Sequence, residues 1–350
     1  MDIQSDPTVQ FSNFHCASQL SVIRSNLEVK ENFSSLRMDY LSGWCKSKRR
    51  LEGITAIVTG SNTGIGKETA ADFFTRGARV IIACRDVKKG DAAKKVIENS
   101  ITDSRKGEIV VEKLDLSSLS SIREFVKRIL ENEKHINILV NNAGVMMCLE
   151  GKTEDGFETH MGTNHLGHAL LTLLLLPILM RSDASRIVCV SSYLHLKGQL
   201  DLEDMNFEKT PYDAYKGYCK SKAANVLFAR ALANELKKRG IKNVTTYSLH
   251  PGVVSTEIGR HFSESVIWGA SWIFNNIITY FSKSPKCGAQ TSIYCAIDEG
   301  CSHESGLYYA DCAVLKPSTQ CQDDEFAAKF WDWTIQSLKL QDYDAFQTLN

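Results

Sequence analysis

The sequence lacks three features, each of which would indicate a particular class of protein. It has no excess of either charge, because 41 basic side chains balance 41 acidic ones, so no global field favours nucleic acid. Its 11 cysteines are odd in number and include no Cys-x-x-Cys pair, which favours reduced thiols over a disulfide framework. Its longest apolar run, residues 169–180, is shorter than the roughly 20 residues that span a bilayer. We therefore expect that run to be a buried helix.

The N-terminal segment, residues 1–50, carries no strand pattern. It starts with the polar stretch MDIQSDPTVQ, so we predict neither a signal peptide nor a transmembrane anchor. Apolar residues recur with helical spacing between Phe33 and Trp44, and a basic run follows at residues 46–50. Two interpretations stay open: a solvated linker with a short helix packed on the domain, or an interfacial helix on anionic lipid. The expected location is the cytoplasm or the cytosolic face of the endoplasmic reticulum.

From residue 54 onwards, short β-branched segments alternate with helical patterns. Alternating strands and helices predict an α/β fold, a single doubly wound Rossmann-type domain with a mostly parallel, seven-stranded sheet. We place this domain at residues 51–340 and a C-terminal tail at residues 341–350. The seven predicted strands are residues 54–59, 79–83, 108–113, 137–140, 187–190, 244–249 and 307–310.

The loop after the first strand carries a glycine pattern that suits a dinucleotide. Gly60 permits a tight turn, Gly64 lets the backbone approach a pyrophosphate, and Gly66 lets the following helix pack close to the strand. The amides at the helix N-terminus would then face the phosphates. This strand–turn–helix context makes the signal more specific than glycines alone. The predicted cofactor-binding residues of this turn are Gly60, Ser61, Asn62, Thr63, Gly64, Ile65 and Gly66.

The end of the second strand distinguishes between the two nicotinamide cofactors. NAD sites place a carboxylate there for the ribose 2′-hydroxyl, whereas this strand ends in Cys84-Arg85. Arg85 offers a 2′-phosphate a cationic fork, so we predict NADP(H); a shift of one residue would instead bring Asp86 to this place. Asp115 is either an adenine contact or a helix cap. Further cofactor contacts are predicted at Leu116, Asn142, Ala143 and Gly144.

A tyrosine and a lysine one helical turn apart are the predicted catalytic pair. Tyr218 and Lys222 share a helix face, and a nearby cation favours the phenolate over the phenol, whose pKa is ordinarily about 10. Tyr212 and Lys216 have the same spacing. Because they follow Pro211 in a polar stretch, we favour the later pair.

Other polar residues are expected near this pair. Ser191 and Ser192 end the fifth strand at the sheet edge where ligands bind, and one of these hydroxyls would hydrogen-bond a substrate oxygen. The Asn164 side chain, inside a predicted helix, would hydrogen-bond a water molecule or a backbone carbonyl. The alternative is that Asn164 is only a helix cap. His165 and His168 lack a further ligand set, so no metal site is predicted.

Together these motifs resemble the classical short-chain dehydrogenase/reductase family. The similarity runs from about residue 51 to about residue 315, and within the family it is closest to the NADP-preferring microsomal retinol dehydrogenases. The sequence segments on which this similarity rests are residues 83–86, 141–148, 155–160, 164–168 and 250–254. That branch usually begins with a hydrophobic anchor, whereas this sequence begins with a polar segment.

The resemblance implies roles for the catalytic residues. Tyr218 would be the acid/base, and Lys222 would hold the nicotinamide ribose and lower the pKa of the tyrosine. Ser192, rather than Ser191, would orient the carbonyl, and Asn164 would complete a proton relay. The nicotinamide would be lined by Pro251, Gly252, Val254 and Thr256.

The predicted function is NADP(H)-dependent interconversion of a lipophilic aldehyde or ketone and its alcohol, retinal- or retinol-like. Substrate contacts are expected from Ser192, Tyr218, Trp268 and Trp272. The two tryptophans lie in an apolar stretch interpreted either as core packing or as a hydrophobic lid at residues 255–285. A steroid or xenobiotic carbonyl reductase is the alternative enzyme, and an inactive NADP(H)-binding sensor or scaffold is the alternative of another class. Peripheral membrane contact and homo-oligomer formation stay open.

Overall fold

The computed structural model describes residues 39–254 and 282–347, and within these ranges the chain forms one eight-stranded sheet covered by helices. The strands are β1 (Thr55–Thr59), β2 (Arg79–Cys84), β3 (Glu108–Lys113), β4 (Ile138–Asn141), β5 (Ser185–Val190), β6 (Val244–Leu249), β7 (Leu307–Ala310) and β8 (Ala313–Leu315). The α-helices are α1 (Gly64–Thr75), α2 (Val87–Ser100), α3 (Leu119–Asn132), α4 (Gly167–Leu179), α5 (Ala214–Lys238), α6 (Pro285–Gly288), α7 (Gln290–Ile297), α8 (Thr319–Gln322) and α9 (Asp324–Ser337). A π-helix at Met161–Leu166 runs into α4, and a 3₁₀-helix spans Tyr193–Lys197.

The strand order is β3-β2-β1-β4-β5-β6-β7-β8, and the first seven strands are parallel. This confirms the doubly wound Rossmann-type fold. The chain runs outward from β1 to β3 and then returns to β4, so the crevice beyond the carboxyl ends of β1 and β4 is the expected ligand site.

The eighth strand was not predicted. It pairs antiparallel with β7 through a two-residue hairpin at Asp311 and Cys312, whose φ angles are 50° and 58°. Two consecutive positive φ angles fit the hairpin turns that twist with the strands. The usual Asn-Gly signal for such a turn is absent, and the three residues of β8 are all exposed. The sequence pattern therefore gave no sign of it.

Side chains from alternate strand positions build two hydrophobic cores. Ile57 and Leu139 face one side of the sheet, where α3, α4, α5 and α9 pack, and Val58 and Val140 face the other side with α1 and α7. The predicted apolar run is confirmed as the buried helix α4. Within the described ranges one segment, Met161–Leu179, is long and apolar enough to cross a membrane, and 94% of it is buried inside the fold.

Parts of both segments predicted as tails pack on the domain. Asp39 accepts a hydrogen bond from the Ser284 amide at 2.9 Å, and the Cys45 amide donates to Gln290. At the other end Ala345 is buried, and the guanidinium of Arg239 lies 4.0 Å from the ring of Phe346. Residues 33–38 of the predicted helical stripe, and residues 255–281 of the predicted lid with Thr256, Trp268 and Trp272, lie outside the described residues.

Candidate active site

The glycine turn has the geometry that a dinucleotide requires. Gly60 and Gly64 have φ angles of 64° and 55°, in the left-handed region that favours glycine. A Cβ at Gly60 would lie 2.9 Å from Ala143, and one at Gly66 would collide with the side-chain amide of Asn142. Thr63 precedes α1 without capping it through its side chain, so the first amides of α1 stay available to an anion. The residues present therefore fit a pyrophosphate.

A buried hydrogen-bond network joins this turn to the end of β4. The Thr59 hydroxyl accepts the backbone N–H groups of Asn142 and Ala143, each at 2.9 Å. The Asn142 side chain donates back to the Thr59 carbonyl at 2.7 Å, and the His168 ring lies 2.9 Å from the same hydroxyl. The two segments that would lie beneath a cofactor are thus held together by side chains rather than by strand pairing alone.

At the end of β2, the structure separates the roles of the two charged residues. Asp86 caps α2, because its carboxylate accepts the Lys89 amide at 3.1 Å. Arg85 is exposed and makes no ion pair within the described ranges. After β3, Asp115 accepts from both the amide and the hydroxyl of Ser117, while Ser118 caps α3. The alternative interpretation of Asp115 as the helix cap therefore does not hold.

Tyr218 and Lys222 lie on α5 with their side chains turned into the fold, and only 5% and 2% of the two residues are exposed. The Lys222 ammonium donates to the Val190 carbonyl at the end of β5 at 3.1 Å, and it lies 5.7 Å from the centroid of the Tyr218 ring. Of the two serines after β5, Ser191 donates to the Lys222 carbonyl at 2.6 Å. The Ser192 hydroxyl is the one beside the Tyr218 phenol.

The electrostatics of the pair differ from the sequence-based expectation. Burial raises the pKa of Tyr218 to about 12, and the neighbouring Ser192 hydroxyl acts in the opposite direction. Burial also lowers the pKa of Lys222 to about 8. The spacing along the sequence indicates only the effect of the lysine cation, which favours phenolate. In the structure burial has the largest effect on the Tyr218 pKa, and it favours the neutral phenol.

Asn164 lies in the middle of the π-helix and holds the segment after β4. Its side-chain oxygen accepts the Val145 amide at 2.8 Å, and its side-chain nitrogen donates to the Val145 carbonyl and to Ser221, both at 2.9 Å. A Cβ at Gly144 would lie 3.2 Å from the Asn164 oxygen and 3.4 Å from the Lys222 nitrogen. Asn164, Gly144 and Lys222 therefore converge on one point. Such π-helical turns are frequent at functional sites.

The alternative tyrosine–lysine pair lies differently. The Tyr212 hydroxyl donates to the Cys148 carbonyl at 2.8 Å, and Lys216 is exposed next to Asp213. Burial raises the pKa of Tyr212 above its ordinary value. Its hydroxyl is thus already used in a structural bond, and no buried lysine follows it at the same spacing.

The segment after β6 lies at the same edge of the sheet. Gly252 has a φ angle of 85°, and a Cβ there would lie 3.1 Å from the ammonium of Lys283. Lys283 is 7% exposed and pairs with Asp311. Val254 pairs with Lys283 in an isolated bridge, and Pro251 is half-buried. Lys283 was missed because nothing in its local sequence indicates that it meets Gly252, 31 residues away.

The two histidines after Asn164 have structural environments. His165 packs against the rings of Phe228 and Phe330, and His168 joins Thr59 to the Asn164 carbonyl. Burial lowers the pKa of His165 to about 3 and that of His168 to about 4, so both rings are neutral. Within residues 39–254 and 282–347, no three His, Cys, Asp or Glu side chains are grouped to hold a metal ion.

Comparison with known proteins agrees with this geometry. The family model of the short chain dehydrogenases matches residues 54–266. The chain is 48% identical over 299 residues to retinol dehydrogenase 11 of Homo sapiens, a match that covers 85% of this chain and 90% of that protein. A crystal structure of an uncharacterised protein from Mycobacterium paratuberculosis superposes with a TM-score of 0.66 at 31% identity, covering 85% and 98% of the two chains. A 3-oxoacyl (acyl-carrier-protein) reductase from Agrobacterium tumefaciens, with NADP bound, has a TM-score of 0.57 at 21% identity and covers 74% and 93%.

Proposed function

The chain belongs to the short-chain dehydrogenase family, and we propose that it uses NADP(H) to interconvert a lipophilic, retinal-like aldehyde or ketone and its alcohol. The observation that carries the proposal is the convergence of Ser192, Tyr218, Lys222 and Asn164 at the sheet edge where the glycine turn opens. An inactive sensor or scaffold would have no need of a buried tyrosine–lysine pair. The intact set therefore favours an enzyme.

Two observations support NADP(H) over NAD(H). Arg85 is exposed and forms no ion pair within the part of the chain that the structure describes, so its guanidinium is available to a 2′-phosphate. Asp86, the carboxylate that would repel such a phosphate, is held by the amide of Lys89. The Agrobacterium reductase of similar fold has NADP bound, which is consistent with this choice.

The chain's own residues perform the proton transfer. When bound, the nicotinamide supplies or accepts the hydride. The neutral phenol of Tyr218 donates its proton to the carbonyl oxygen during reduction, while Ser192 orients that oxygen through a hydrogen bond. Lys222 uses one of its three N–H donors on the Val190 carbonyl and keeps the others for the ribose. In oxidation the step is reversed, and the deprotonated oxygen of Tyr218 accepts the proton of the alcohol.

Exposed apolar side chains around the site support a lipophilic substrate. Tyr193 follows Ser192, Val253 follows Gly252, and Leu149 follows Cys148; these three are 59%, 55% and 61% exposed. Apolar residues so close to the site suit a substrate that brings its own hydrophobic surface. The human relative is named a retinol dehydrogenase, which points to the same substrate class.

The experiment that tests this function is NADPH oxidation by the purified protein with retinal, ketosteroids and straight-chain aldehydes of increasing length. We expect kcat/KM to rise with chain length, since each buried methylene contributes about 0.8 kcal/mol. A flat wild-type profile would argue against a lipophilic pocket, and turnover of ketosteroids alone would favour the steroid reductase.

Peripheral membrane contact is proposed for the segment before β1. Tyr40 and Leu41 are 88% and 74% exposed, and Lys46 and Lys48, further along the same segment, are also exposed. Apolar and basic side chains in one segment suit an anionic lipid surface. We expect the full chain to sediment with anionic vesicles and a variant lacking residues 1–50 to stay in solution. No binding by the full chain would refute the proposal.

A further inference from the structure

A buried glutamate and histidine lie beside the site and have no part in the proton transfer. Glu158 is 2% exposed, and its carboxylate accepts three hydrogen bonds: from the His160 ring at 2.7 Å, the His160 amide at 2.9 Å and the Met161 amide at 2.8 Å. These three donors replace the water that the carboxylate loses on burial. Because the last two are the amides that open the π-helix, Glu158 also fixes the start of the helix that carries Asn164.

The other nitrogen of the histidine ring reaches the segment after β4. The Cys148 backbone N–H donates to the His160 Nε2 at 3.1 Å. An N–H group can only donate, so Nε2 accepts and the ring proton lies on Nδ1, where Glu158 accepts it. The pair therefore has a defined direction, from the carboxylate through the ring to the backbone of residue 148.

The segment that this bond holds is strained and borders the catalytic residues. It begins at Gly144, which lies against Lys222 and Asn164, and it contains Met147 with a φ angle of 54°. A left-handed non-glycine residue persists where its surroundings hold it. Asn164 holds this segment at Val145, and His160 holds it at residue 148.

The same pair touches the helix that carries the catalytic tyrosine. The His160 and Tyr218 rings meet edge to face with centroids 6.2 Å apart. A Cβ at Gly217 would lie 3.1 Å from His160 Nδ1 and 3.2 Å from the Glu158 carboxylate. A side chain at residue 217 would press against the pair, so the glycine makes this close approach of α5 easier.

We propose that Glu158 and His160 are positioning residues, which fix the 144–148 segment and the Tyr218 ring relative to each other. The hydrogen bonds of their side chains within the described residues join the two to each other and to backbone amides, not to Ser192, Tyr218 or Lys222. Their effect is on the alignment of the proton donor with the wall of the site, and small misplacements of reacting groups cost large factors in rate. The expected effect on kcat depends on the proposed function, whereas the expected effect on the 144–148 segment does not.

The test compares two substitutions that each keep half of the ring's hydrogen bonding. His160→Gln can place an oxygen near the position of Nε2 and so still accept the Cys148 amide. His160→Asn keeps a donor to Glu158 but leaves that amide without its acceptor. We expect His160→Asn to lower kcat with retinal about tenfold while the NADPH affinity stays within about twofold of wild type. We expect His160→Gln to recover most of the kcat.

The matched control is His165→Asn, the same change at a buried histidine that packs against α5 and α9 instead. It should lower the melting temperature without lowering kcat. Amide hydrogen exchange of residues 144–149 provides a measurement that needs no turnover. Faster exchange is expected in His160→Asn, and near wild-type exchange in the other two variants. If His160→Asn does not fold, kcat and the amide exchange of residues 144–149 are measured in Glu158→Gln instead. A lower kcat and faster exchange are expected there too.

The proposed function and the positioning role of Glu158 and His160 can be refuted separately. If the wild type fails to oxidise NADPH with every carbonyl compound tested, the proposed function is wrong. The exchange measurement then still decides the positioning role. If His160→Asn leaves the exchange of residues 144–149 unchanged, or lowers kcat no more than His165→Asn, the positioning role is wrong.

Discussion

Thr59→Val should test the network that joins the glycine turn to the end of β4. The valine keeps the shape of the threonine but removes the hydroxyl that accepts two backbone N–H groups, from Asn142 and Ala143, at 2.9 Å each. Thr59 has no exposed surface, and His168 also loses a partner at 2.9 Å. The change therefore leaves the Ala143 amide without its acceptor and the His168 ring without its partner, whereas the Asn142 amide keeps the Val140 carbonyl at 3.0 Å.

The expected loss of stability follows from these contacts. A buried group left without its hydrogen bond costs about 1–3 kcal/mol, so the Ala143 amide and the His168 ring together give about 2–6 kcal/mol. Ala143 is half-buried and water can reach its amide in part, so we expect the lower half of that range, about 2–4 kcal/mol. That is a large share of the roughly 5–15 kcal/mol by which proteins are stable.

Urea unfolding measures this loss as a lower midpoint with an unchanged slope. The matched control is Thr55→Val on the same strand, because the Thr55 hydroxyl has no hydrogen-bond partner among the described residues. We expect the control to stay within about 0.5 kcal/mol of wild type. Equal losses in the two variants would show that the network contributes nothing beyond ordinary strand packing.

Three further predictions concern catalysis, cofactor choice and pH. Tyr218→Phe should abolish turnover while NADPH still binds, and Tyr212→Phe should be close to neutral because water can replace its bond to a half-exposed carbonyl; equal losses would reject the assignment. Arg85→Asp should weaken NADPH binding far more than NADH binding, and a wild type that uses both equally would contradict the role of this arginine. Burial lowers the pKa of Lys222 from 10.5 to about 8, so between these values this lysine is protonated in the unfolded state and neutral in the folded state, and its own contribution to stability rises with pH there. Lys222→Met should lack this rise of about 3 kcal/mol in urea unfolding, and parallel pH curves for the two proteins would contradict the buried, shifted lysine.

Much of the fold could be read from the sequence because its signals are local and periodic. Strands β1 to β7 were predicted within two residues of their observed ends, since β-branched runs alternate with helical spacing. The glycine turn was recognisable because Gly60 and Gly64 adopt φ angles that other residues avoid. The Tyr218–Lys222 pair was found because a spacing of four residues puts two side chains on one face of a helix.

Other features depended on residues that meet only in the folded chain. The choice between Ser191 and Ser192 rests on which hydroxyl is bonded to the backbone of α5, and that is Ser191. The use of Asp86 as a helix cap rests on the backbone conformation of its turn. The link from Glu158 through His160 to Cys148 joins a π-helix to a strained loop, and no spacing rule indicates it.

The sequence by itself determined the order of strands and helices, the phosphate turn and the identity of the reactive groups, because these follow from side-chain periodicity and backbone freedom within short stretches of chain. Only the tertiary structure decided the direction in which the pKa of Tyr218 shifts, because that pKa depends on how completely the surrounding residues exclude water, and those residues come from distant parts of the chain. The same holds for the packing of residues 39–50 and 341–347 on the domain, where polar segments found partners that their own composition does not specify.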